Sequence, residues 1–322
     1  MGLRAVVFVL ATMLAGCATH RPTVASALMP GMPAAVELSQ VVFHPQDAEQ
    51  CGPAALATAL NAAGVAISPV ELSPLVFLPG RAGTLTVEMK AAARRFDRLP
   101  YVLEPELRAV LAQIAAGLPV LVMQNLGLAA RPAWHFAVVI GFDAEREQLV
   151  LRSGLNERLT LSTRRFMRGW DLAERWAIVV LPPGDLPAEP DATRYLEAAA
   201  GLEATGRDSA AHAAYTRAAA QWPTESFAWL GLGNLAYRDE DYLTAIAAYR
   251  AALARAPDDA AARNNLAQTF ADLGCLDAAR EQAVEALRSA RDTALEAQVA
   301  ATLAALDQLS AAGACPAALA ER

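Results

Sequence analysis

The sequence predicts an α+β domain followed by an all-α repeat solenoid. Three observations carry that reading. An Ala-rich helical pattern opens at Cys51 and is succeeded by apolar strands, Pro residues crowd positions 182–190, and a 34-residue self-repeat begins beyond them. The expected divisions are 1–16 for a signal segment, 17–35 for a tether, 36–183 for the α+β domain, 184–190 for a linker and 191–322 for the repeats.

Residues 1–16 read as a targeting segment, not as fold. Arg4 supplies a positive start, and the apolar run from Ala5 to Met13 is too short to span a bilayer. Leu14-Ala15-Gly16-Cys17 looks like a bacterial lipobox, which implies lipid on Cys17 and membrane attachment through it. The alternative is an ordinary secretory signal cut elsewhere. Ala18 is not the acidic residue that retains lipoproteins in the inner membrane, so the expected location is the outer membrane, facing the periplasm. That compartment permits disulfides. Pro22, Pro30, Gly31 and Pro33 then read as an extended spacer. A formal net charge of −7 argues against nucleic acid as a partner, because no basic stripe is present to neutralise phosphates.

From Val36 the pattern becomes α+β. Val41-Val42-Phe43 reads as a short strand. The helix at Cys51 has Pro53 in its first turn and Gly64 past its end, both at favoured positions. A thiol at a helix start faces unpaired N–H groups and the positive end of the dipole, which favour the thiolate and lower its pKa. The same pattern also suits a buried, inert Cys. Helical spacing recurs over 84–96 and 105–117, and residues 119–123 read as a buried strand. Residues 125–132 form a Gly- and Pro-bearing loop. His135 opens a strand over 136–142, and 149–153, 159–161 and 176–181 complete a sheet.

Gln46, Cys51-Gly52-Pro53-Ala54 and the distant Trp134-His135-Phe136-Ala137-Val138-Val139-Ile140-Gly141 together resemble the bacteriocin-processing (double-glycine leader) cysteine peptidases of the papain clan. The resemblance covers roughly residues 36–183. It implies a papain-like fold, a nucleophile at Cys51, a base at His135 and an oxyanion-hole side chain at Gln46, without a cofactor. Gln50 is a second candidate for the last role. The chemistry is consistent: imidazole titrates near neutrality and can hold a thiol's proton, and an oxyanion needs aimed donors.

The third position departs from that family, in which an Asp-Pro pair follows the return strand. Arg152-Ser153-Gly154 stands there instead, and Arg152 would oppose an imidazolium. Asn156 (or a backbone carbonyl) is expected to orient His135; otherwise the site is a Cys–His dyad, or it no longer cleaves. His44, before Pro45, is expected to be structural.

Tyr195, Trp229 and Arg263 recur at intervals of 34, as do Ala211, Ala245 and Ala279; Pro223 and Pro257 close the first two units. That period identifies three tetratricopeptide repeats, with residues 293–309 as a capping helix. Stacked helical hairpins bury a continuous core and present a concave face that suits a peptide or protein partner. With Cys17 given to lipid and Cys51 to chemistry, Cys275 and Cys315 remain. An antiparallel path along the last hairpin brings them together, so they are expected to pair; the alternative is two unpaired thiols. The expected function is a membrane-anchored cysteine peptidase acting on a peptide or protein. The alternative is a non-catalytic peptide-binding scaffold.

Overall fold

A computed structural model describes residues 22–45, 50–78, 80, 83–309 and 315. Gln46 and Cys17, with the signal segment, lie outside the described residues. The fold class is the expected one: an α+β domain built as a helix against an antiparallel sheet, then an all-α array.

The α+β domain contains β1 (Ala35–Glu37), the small hairpin β2 (Phe77–Leu78) and β3 (Gly83–Thr84), β4 (Leu99–Val102), β5 (Val120–Asn125), β6 (Trp134–Asp143), β7 (Gln148–Ser153), β8 (Asn156–Ser162) and β9 (Ala177–Leu181). The main sheet runs β4-β9-β5-β6-β7-β8, and β1 pairs with β6 beyond the point where β5 stops. Continuous apolar runs make β5, β6 and β9 almost wholly buried. The helix Cys51–Ala62 packs on β5, β6, β7 and β9, and its first ten residues are buried. Its alanines allow that close approach.

Two expectations about the N-terminal part fail. Of the expected tether, 17–35, the described residues 22–35 are not an extended spacer but belong to a strap, residues 22–41, packed on the domain. The short helix Val24–Ala27 is capped from afar by Glu147, whose carboxylate accepts from Val24 N (2.8 Å) and Ala25 N (3.0 Å). Burial opposes ionisation of Glu147, but those amides and Thr163 hold its carboxyl below the usual range. The strap then enters the sheet as β1, so close that a Cβ on Gly141 would sit 2.6 Å from Val36 O. Val41-Val42-Phe43 is not a strand; the Val41 carbonyl is turned to Arg152.

Beyond the sheet, helices Ala192–Glu203, Asp208–Gln221, Ser226–Arg238, Tyr242–Leu253, Ala260–Asp272 and Leu276–Ala290 form three hairpins, and Glu296–Gln308 caps them. Cys275 and Cys315 form a disulfide with Cα atoms 4.5 Å apart. The linker is docked on the sheet domain: Gln113 donates to Ala188 O (2.7 Å) and accepts from Ala188 N (2.9 Å). Asp191 N donates to the buried Tyr101 hydroxyl, and the first repeat helix packs on β4. One apolar core therefore runs from Val24 through the first repeat to Leu235, and a second holds the later repeats.

Candidate active site

Cys51 is the first residue of its helix and is 6 % exposed, carrying a thiol and not a disulfide. A Cβ on Gly52 would meet Thr84 at 2.3 Å, so only glycine lets the β2–β3 hairpin cover this first turn. Burial pushes the Cys51 thiol upward, against backbone N–H groups of Phe136, Gly52 and Cys51 itself. The sequence reading expects a depressed thiol pKa. Desolvation reverses it, because the helix start lies under other chain and not at the surface. The Phe136 amide beside the sulfur places Cys51 next to the residue that follows His135.

His135 is the second residue of β6, half-buried, and burial pulls its imidazole downward. Its Nε2 lies 2.8 Å from Ser153 Oγ. Ser153 ends β7 and is 7 % exposed. Asn156 does not take the orienting place expected of it. The two-residue turn Gly154-Leu155 sets Asn156 across from Ser153 on β8, so β7 lies between it and the histidine's strand. Asn156 is exposed there.

Arg152 does not oppose an imidazolium. It pairs with Val138 in register, so strand alternation turns it to the sheet face opposite His135 and Ser153. Its buried guanidinium donates to Val41 O (2.9 and 3.2 Å), Ser39 O (3.0 Å) and Glu157 O. It binds the strap's end to the β7–β8 hairpin. His44 is structural as expected, with its Nε2 2.8 Å from Asn61 Oδ1.

The loop beside His135 follows from the same strand ends. Asn125 Oδ1 accepts from Gly127 N and Ala133 N, both at 2.9 Å, and so shapes the loop between β5 and β6. Leu126, Leu128, Trp134 and Leu155 stand exposed at this end of the sheet. In the repeats, a separate groove of about 500 Å³ is lined by Asn234, Tyr237, Asn264, Asn265, Gln268 and Gln298. Among the described residues no cluster of three or more His, Cys, Asp or Glu side chains could hold a metal ion, and no helix is long and apolar enough to cross a membrane.

The site thus has a buried thiol at a helix start, beside the strand that carries the imidazole, within an α+β fold. No family model and no curated protein matches the chain. Among solved structures, it is similar to a C39-like peptidase from Bacillus anthracis, at 18 % identity and a TM-score of 0.40, covering 46 % of this chain and 98 % of that one. It is also similar to the peptidase domain of Streptococcus ComA, a bifunctional ABC transporter, at 21 % identity and a TM-score of 0.36, covering 44 % of this chain and 99 % of that one. The repeats are similar to the Yersinia enterocolitica type III secretion chaperone SycD in complex with a peptide of the translocator YopD. That likeness has 18 % identity and a TM-score of 0.34, covering 36 % of this chain and 91 % of the chaperone.

Proposed function

We propose that the protein is a cysteine peptidase attached to the outer membrane by lipid on Cys17, with a repeat domain that holds a peptide or protein partner. The observation that carries the catalytic part is Cys51 beside the Phe136 amide, with His135, the residue before Phe136, held by Ser153. In this reading His135 takes the Cys51 proton as sulfur attacks the scissile carbonyl. The oxyanion is met by the Cys51 backbone N–H and the Gln46 side chain. The departing amine collects the proton, and water then hydrolyses the thioester. Leu126, Leu128 and Trp134 favour apolar side chains near the scissile bond. The amide-rich groove of the repeats suits the main chain of an extended segment.

The test is reaction of the full chain with a peptidyl electrophile bearing apolar side chains. Covalent capture at Cys51, abolished by Cys51→Ala and strongly slowed by His135→Ala, is expected. Absence of capture by the wild-type protein would end the peptidase reading and leave the binding-scaffold alternative.

A further inference from the structure

We infer that Ser153 is the positioning residue of this site, holding His135 as the Nε2–H tautomer so that a neutral imidazole faces a neutral thiol until substrate arrives. The inference deepens the peptidase reading and rests on it for its turnover consequence. Its resting-state consequence rests on the His135–Ser153 contact and on the burial of Cys51 and His135.

The ring nitrogen with a partner in the structure is Nε2. Nε2 is 2.8 Å from Ser153 Oγ, on the buried end of β7. Nδ1 is the ring nitrogen nearest the main chain, and the Cys51 sulfur lies at the adjoining Phe136 amide. To accept a proton from sulfur, Nδ1 must be bare, and the proton must then sit on Nε2 and donate to Ser153 Oγ. A hydroxyl can accept that bond in either charge state of the ring. It cannot supply the negative charge with which a carboxylate stabilises an imidazolium.

Among the described residues the surrounding charges do not replace it. Arg152 is on the opposite face and is bound to carbonyls, Glu157 is exposed at the sheet edge, and Asp143 lies at the far end of β6 paired with Arg146. The first turn of the Cys51 helix has no acidic side chain. Asp47 and Glu49, in the loop before it, lie outside the described residues. Burial of both Cys51 and His135 also favours their neutral forms. The proton therefore moves from Sγ to Nδ1 as the carbon–sulfur bond forms and the carbonyl electron pair passes to oxygen. It leaves Nδ1 with the amine when the intermediate collapses.

The experiment measures alkylation of Cys51 by iodoacetamide from pH 5 to 10, alongside capture by the peptidyl electrophile, for wild type, Ser153→Thr, Ser153→Ala and Ser153→Asp. Wild-type alkylation should stay slow at neutral pH and rise only as the thiol itself ionises. Ser153→Thr should match it. Ser153→Ala should slow peptidyl capture about tenfold, the scale of one lost neutral hydrogen bond. Ser153→Asp should raise alkylation at pH 7 by about tenfold, as a carboxylate beside the ring favours the ion pair. A wild-type protein already alkylated rapidly at pH 6 would overturn the neutral resting state. Peptidyl capture by Ser153→Ala at the wild-type rate would overturn the positioning role. If wild type captures no peptidyl electrophile, the peptidase reading fails, while the alkylation profiles of wild type and Ser153→Asp still decide the protonation state.

Discussion

At the residue scale, the burial that builds this site also sets its pH window. His135 is held below its ordinary 6.5 and Cys51 above 9.0. Below about pH 6.5 the unfolded chain takes up the imidazole proton more readily than the folded one, so stability falls as pH falls. Above about pH 9 the unfolded thiol ionises first, so stability falls again as pH rises. Urea midpoints should therefore show these two contributions flat between those limits, and His135→Phe should remove the acid-side one. Arg152 carries a separate prediction. Lys has one ammonium and cannot reproduce its fork of bonds to Val41, Ser39 and Glu157. Arg152→Lys should cost roughly 2–4 kcal/mol in urea unfolding through stranded buried carbonyls, with little change in Cys51 alkylation.

At the element scale, legibility in the sequence depended on how local the cause was. The Cys51 helix, the His135 strand and the three repeats are set by short-range pattern: Pro53 and Gly64, a continuous apolar run, a period of 34. Ser153 left no such signal, because a serine at a strand end looks like any other; its role depends on the β6–β7 register. Asn156 has more suitable chemistry but lies one strand too far away. The strap was hidden for the same reason, since its Pro-rich composition suggests a spacer while its anchor is Glu147, over a hundred residues on. The last repeat makes a prediction at this scale. Closing a separation of 40 residues, the Cys275–Cys315 bond should contribute about 4 kcal/mol in the loop-entropy estimate. Cys275→Ser with Cys315→Ser should lower the thermal midpoint and raise hydrogen exchange first in the helix Glu296–Gln308.

At the scale of the whole molecule, the boundary between the two architectures is not a boundary in the core. Tyr195, Ala198, Ala199 and Leu202 of the first repeat are buried in the same cluster as Leu99 and Tyr101. A chain ending at residue 190 should consequently melt at a lower temperature than the full protein and bind a hydrophobic dye. The full chain should lose its sheet and first repeat in one transition. Two independent transitions matching the separate halves, by calorimetry, would contradict the shared core.

The strap also sets a distance. From Cys17 to Thr23, the cap of the first described helix, six peptide steps reach at most about 20 Å. That helix is fastened to Glu147, in the turn after β6, whereas His135 is the second residue of β6, eight residues or about 27 Å from the strand's end at Asp143. With the proposed lipid on Cys17, the bilayer would hold the turn end on a short leash, with His135 at the far end. Bonds within reach of Cys51 would belong to chains projecting well clear of the headgroups, not to segments lying in them.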